Sequence, residues 1–258
     1  YTLILSATGL IGPLFAGYSI DHSGYAAACL YLAALMMGPI IMLALRGDAL
    51  RAGQPRTAHA KGGALAMLAQ PGVRNVLIIS SMASAGNNLY QFYMPVYGHS
   101  VALSASSIGI VLAMNATGAF VARLILPYGI ARYKEEKVLS YALYCGAAGL
   151  MLIPLFKDAA ALCAISFAFG LGIGCSGPLV MMLMFANSAE GRSGEGLGLK
   201  MTVNHLTKML SPVVFGAMGS AFGLLPMFCI NGLMIASVGL LNRRQKQPPV
   251  EPIKSDSR

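Results

Sequence analysis

The chain has 258 residues, of which 56% are hydrophobic and only 10% charged, and its mean hydropathy is +0.67; soluble domains carry about 25% charged residues. Apolar runs near the roughly 20 residues that cross a ~30 Å hydrocarbon core recur along it, which predicts an all-α multi-pass membrane protein. The net charge of +9 does not imply a nucleic-acid partner, because the basic residues segregate by membrane side, as set out below.

The first predicted helix covers residues 2–20 and ends at Asp21-His22-Ser23-Gly24. Within it lies Gly9-Leu10-Ile11-Gly12-Pro13-Leu14-Phe15-Ala16-Gly17. Small residues at this spacing let another helix approach closely, and Pro13 removes a backbone donor and bends the helix. For any one of Gly9, Gly12 or Gly17, packing is the simplest role. A second apolar helix covers 25–45, with Gly38-Pro39 as its predicted kink. The one long polar stretch follows at 46–72, with Arg46, Arg51, Arg56 and Lys61 in it and Arg74 just beyond.

Taken together, the Gly9–Gly17 run resembles the fifth-helix signature of major facilitator superfamily transporters, antiporters especially. The usual form ends GPxxGG, and Ala16 stands in place of the first glycine of the final pair. Asp21, after the helix, also resembles the family. The resemblance implies that 1–45 form the last two helices of an N-terminal bundle, 46–72 the central linker, 73–242 a complete C-terminal six-helix bundle and 243–258 a tail. About eight membrane helices are expected in all. The family's first four are expected upstream of Tyr1, where the chain opens without a start Met or signal peptide.

The seventh helix by that count covers 73–97 and carries Asn87, Asn88 and Gln91. Asn87 and Gln91 are four apart and share a face. An amide at mid-span must find a partner, because hydrocarbon offers none. A single such amide is most simply an interhelical hydrogen bond; three in five residues point to a substrate-facing cluster. Tyr93 and Tyr97 read as interfacial belt residues.

The eighth helix, 106–127, has Asn115 near its centre and Arg123 near its inner end. From Arg123 the sequence runs Arg-Leu-Ile-Leu-Pro-Tyr-Gly-Ile-Ala-Arg-Tyr-Lys. This resembles a degenerate second copy of the family's GxxxDRxGRR loop motif, lacking its Asp. Arg123 reads equally as a snorkelling side chain or a gating contact. The ninth helix, 138–156, has no charged residue inside it and suits a lipid-facing place. The tenth, 159–186, holds Gly170-Leu-Gly172-Ile-Gly174-Cys-Ser176-Gly177-Pro178, read as close packing with a proline kink. No strand precedes it, so it is not a dinucleotide fingerprint.

Residues 187–196 read as a charged loop. The eleventh helix, 197–222, places Asn204, Lys208, Ser211 and Phe215 along one face, with His205 beside them. Lys200 is expected to reach the headgroups. Lys208 lies about 12 Å deeper at ~1.5 Å per residue, where an ammonium needs water or a partner. The twelfth helix, 224–241, is plain, and Asn231 reads as a packing polar group. All five cysteines lie within apolar runs without CxxC spacing, which supports neither a disulfide framework nor a metal site.

Fifteen of the 18 Lys and Arg residues fall in the linker, the even-side loops and the tail. Lys157 is the one basic residue on the other side, and Arg123 and Lys208 lie within helices. This positive-inside bias places the linker and C-terminus in the cytoplasm, in the cell (inner) membrane.

The expected activity is secondary active transport of a small organic molecule, as proton-coupled efflux by alternating access. Asn87, Asn88, Gln91, Asn115, Asn204 and Lys208 are expected to bind substrate. Arg123 and His205 are expected to gate or couple, although a coupling carboxylate upstream of Tyr1 would serve instead of His205, since no Asp or Glu lies within a span. Gly9, Gly12, Pro13 and Gly17 form a packing motif. The partners expected are substrate, protons and lipid, with no nucleic acid, cofactor or metal, and the chain is expected to act as a monomer rather than as an enzyme. Sugar or organic-acid uptake by the same fold is one alternative. The other is an intramembrane serine protease, from the GxSG match at Gly174–Gly177 with His205 on the next helix; it lacks the Trp and the His-x-x-x-Asn helix that rhomboid proteases show.

Single-cysteine labelling should find residues 46–74 and 242–258 accessible from the cytoplasmic side. Residues 98–103 and Lys157 should be accessible from the other. A linker and tail on opposite sides would contradict this topology.

Overall fold

Hydrocarbon cannot hydrogen-bond a peptide group, so a chain this apolar must satisfy its backbone internally. In a computed structural model, which describes residues 2–45, 67–188 and 192–244, every regular element among the described residues is a helix. Most of the predicted linker (46–66) and tail (245–258) lies outside the described residues.

Helix α1 is Thr2–Leu45. Unbroken, its 44 residues would reach about 66 Å, twice the hydrocarbon thickness. Gly24 interrupts it at φ 76, ψ 169, a conformation open to glycine, and divides it into limbs 2–23 and 25–45. The two predicted helices are therefore present, joined by one residue. Then come α2 (Pro71–Ser100), α3 (Ala105–Arg132), α4 (Glu135–Leu152), a 3-10 turn (Ile153–Leu155), α5 (Ala159–Asn187), α6 (Ser193–Phe222) and α7 (Leu224–Arg244).

The local chemistry explains most boundaries. Pro71 opens α2 at a position whose N–H would have no helical partner. The Ser104 hydroxyl caps α3 by accepting from the Ser107 amide at 3.1 Å. The Asp158 carboxylate caps α5 through the amides of Ala160 and Ala161 at 3.1 and 3.2 Å. Gly223, at φ 83, separates α6 from α7.

Several boundaries differ from the sequence expectation by a few residues, those of α3 and α6 among them. Residues 128–132, beyond the expected helix end at 127, are helix rather than loop, because a helix need not stop where the hydrocarbon does. Helix α6 begins about one turn before residue 197, with Glu195 in its first turn and bridged to Arg192 at 2.6 Å.

Among the described residues, four segments are long and apolar enough to cross a membrane: Ile11–Ile41, Ala105–Arg132, Glu135–Leu155 and Ala159–Asn187. Helices α2 and α6 fall outside this set, and both carry several polar residues on an inward face.

Helix α3 packs most extensively on α5, and α1 lies against α3. Helix α4 joins α5 to α7, and α2 contacts α6, α7 and α5. Glycines set the closest approaches. A methyl group on Gly118 would meet the Phe167 carbonyl, one on Gly170 the Asn115 carbonyl and one on Gly174 the Ala119 backbone. Gly172 faces the other way, onto Ala142 and Gly146 of α4. In the Gly-Pro run of α1, Gly17 lies against Ala105 and Ser106, and the Pro13 carbonyl against Gly109, whereas a methyl on Gly12 would meet nothing. Gly9 is helical backbone in α1.

Side chains then tie the helices together. Asp21 accepts from the Ala105 amide at 3.1 Å and the Ser106 amide at 2.7 Å, holding α1 on the first turn of α3. A carboxylate is favourable there because the first amides of a helix lack internal partners. Tyr93 and Tyr97 are buried rather than interfacial. Tyr93 donates to the Phe215 carbonyl of α6, and Tyr97 to the Phe156 carbonyl at 2.9 Å. Asn242 donates to the Glu136 carbonyl at 2.8 Å and to the Ser140 hydroxyl at 2.9 Å, joining α7 to α4.

Gly118→Ala should lower the melting temperature of the purified protein, since overpacking against backbone costs about 1–3 kcal/mol. Gly216→Ala, where an added methyl meets nothing within 4 Å, should leave it unchanged or slightly higher. Equal melting temperatures for the two variants would contradict the glycine-set crossing of α3 and α5.

Candidate substrate cavity

Four helices line an open cavity of about 520 Å³. Helix α2 contributes Ser80, Ser84, Asn87 and Gln91. Helix α3 adds Asn115 and Arg123, α5 adds Ser176 and its neighbouring glycines, and α6 adds Lys200, Asn204 and Lys208.

Each set follows from helical spacing. Ser80, Ser84, Asn87 and Gln91 recur at i, i+4, i+7 and i+11, one stripe of α2. Lys200, Asn204 and Lys208 recur at i, i+4 and i+8 on α6. The close crossing of α3 and α5 brings Asn115 and Ser176 into the same wall, because Gly170 and Gly174 carry no side chain to hold the helices apart.

The structure brings together Asn87, Gln91, Asn115, Asn204, Lys208 and Arg123 from the sequence-predicted set. It leaves out two. Asn88 sits one residue, and so about 100°, round the helix from Asn87; it does not line the cavity, and its amide nitrogen is buried without a hydrogen-bond partner. His205 is likewise one step round from Asn204, is exposed and does not line the cavity.

Lys200 is the residue that sequence reasoning missed. It was expected to reach the headgroups, yet it is 6% exposed and lines the cavity. The missing signal was the helix start. With α6 beginning at Ser193, Lys200 lies in the second turn, and its spacing of four from Asn204 puts the two on one face.

The polar groups are oriented as well as gathered. The Ser80 hydroxyl donates to the Asn204 amide oxygen at 2.9 Å, linking α2 to α6 across the cavity floor. This uses one lone pair of the Asn204 oxygen and leaves its NH2 to donate. Ser176 donates to the Ile173 carbonyl at 2.6 Å. Its hydroxyl is thus engaged with its own helix, and among the described residues no base is hydrogen-bonded to it, an arrangement unlike an activated serine. None of the described carboxylates lines the cavity.

Asn231 on α7, expected as a packing group, is fully buried with neither amide atom hydrogen-bonded. It lies beside Gly86 on α2, outside the cavity.

No curated protein matches the chain. The family model of the Major Facilitator Superfamily matches it over residues 1–207 and again over 76–257. With these matches spanning nearly the whole sequence, and with apolar helices around an inward-facing polar cavity, the chain belongs to the Major Facilitator Superfamily and is a multi-pass membrane transporter.

Proposed function

We propose that the cavity is the binding site of a secondary active transporter for a small organic molecule, working by alternating access. The observation that carries this reading is convergence. Six residues predicted from sequence for binding or gating, drawn from three helices, line one cavity of about 520 Å³. Sites for small organic ligands run about 300–1,000 Å³, and hydrogen-bonding groups make up more than half of this cavity's wall. Asn87, Gln91 and Asn115 are the neutral hydrogen-bonding groups, Asn204 and Lys208 the donors on the facing helix, and Arg123 the cation toward the inner end.

Export is the direction supported by the resemblance of Gly9–Gly17 to the antiporter signature. Exchange against protons rests on the same resemblance. His205, exposed away from the cavity, is poorly placed to carry that proton. The positive-inside distribution supports a cytoplasmic linker and tail in the cell membrane.

At equal membrane expression, Lys208→Leu should reduce transport by roughly tenfold or more, since losing a hydrogen bond to a charged group costs about 1.5–3 kcal/mol. Lys208→Gln should retain more activity, because an amide still donates. His205→Ala should stay near wild type. Uptake or efflux measured in vesicles checks all three, and normal transport by Lys208→Leu would remove Lys208 from the site.

A further inference from the structure

We infer that the cargo of this cavity is a small organic anion whose carboxylate pairs with Lys200. The inference rests on the reading of the cavity as the transport site and adds the chemical class of what it carries.

Lys200 is more than nine-tenths buried, lines the cavity, and makes no hydrogen bond or ion pair with any described residue. No described acid lines the cavity beside it. Arg123 and Lys208 line the same cavity, and Asp21, Glu135, Glu136, Asp158 and Glu195 do not. Glu195, the acid nearest in sequence, is engaged with Arg192 at 2.6 Å. A lysine lining a cavity within a membrane protein is held by water or by a counter-charge, and an anionic cargo supplies the second.

The neighbouring groups repeat the same polarity. Lys200, Asn204 and Lys208 form a stripe at intervals of four along α6. Lys offers only donors. The Asn204 oxygen accepts from the Ser80 hydroxyl at 2.9 Å, and its NH2 adds two donors. The stripe is therefore a row of N–H groups about 12 Å long. A cationic cargo would meet two like charges on α6, Lys200 and Lys208, in the cavity. A neutral cargo would leave Lys200 without a counter-charge. A carboxylate supplies both the charge and the acceptors, while Asn87, Gln91 and Asn115 on the opposite wall remain for the uncharged part of the molecule.

The test uses the purified full chain in lipid nanodiscs, with thermal unfolding as the readout. Benzoate and succinate are the carboxylate probes, benzamide and succinamide their neutral counterparts, benzylamine the cation and inorganic phosphate the simple anion. At least one carboxylate should raise the melting temperature by a few degrees, while its amide, benzylamine and phosphate should not. Lys200→Gln should abolish that shift and leave the ligand-free melting temperature unchanged or higher, as removal of an uncompensated charge requires. Lys200→Arg should keep the shift.

The inference is overturned if neither carboxylate acts, if an amide or phosphate acts equally, or if the shift survives in Lys200→Gln. A Lys200→Gln protein less stable without ligand would also overturn it, since it would make Lys200 a structural group. Proteoliposome uptake of the radiolabelled carboxylate separates the two layers. Lys200-dependent binding without uptake would sink the transport reading and leave the anion at Lys200. Uptake of benzylamine or benzamide that ignores Lys200→Gln would sink the anion and leave transport standing.

Discussion

The close approach of α3 to α5 is the constraint on which the rest of the structure depends. Lipid tails are as apolar as leucine, so helices in a bilayer gain little from burying apolar side chains against each other. What remains is dispersion between surfaces that fit, and that requires backbones to come near. Gly118, Gly170 and Gly174 remove the side chains that would prevent it, and each faces backbone of the partner helix. Gly172, two residues from Gly170 and so on the far side of α5, does the same for α4. One glycine-rich run thus fixes α5 between two neighbours and sets the wall that carries Asn115 and Ser176.

The polar residues of the cavity contribute little to holding this arrangement together. An interhelical side-chain hydrogen bond in a membrane protein averages about 0.6 kcal/mol, which is the scale of the Ser80–Asn204 contact. A lysine at mid-membrane costs about 2.5–3.5 kcal/mol on insertion scales. For Lys208 the cost therefore exceeds the gain, and stability does not account for a lysine at that depth. The tyrosines behave differently: Tyr93 and Tyr97 are buried and bonded to backbone carbonyls, and they brace α2 against its neighbours with a rigid ring and a satisfied hydroxyl.

At the other end of the bundle, α1 meets α3 through the same two devices. Gly17 and Gly109 permit contact between backbones, and Asp21 supplies the acceptors that the first amides of α3 need. The Gly-Pro signature of the first helix is thus a docking surface for α3, with Gly17 and Pro13 at the contact and Gly12 outside it.

Hydropathy and helical periodicity determined a great deal by themselves. They located the helices, the break at Gly24, and the faces bearing Asn87 with Gln91 and Asn204 with Lys208, because a helix in hydrocarbon has little freedom in how its own residues are arranged. They did not decide which face meets which. Asn88 has the same chemistry as Asn87 and His205 lies next to Asn204, yet a rotation of about 100° per residue takes both away from the cavity. Lys200 and Lys208 show the same limit along the helix axis. The sequence ranked them by distance from a presumed helix start, whereas an earlier start and the packing of α6 on α2 enclose Lys200. Depth and azimuth within a bundle are properties of the contacts between helices, set here by glycines on α3 and α5, and no single helix contains them.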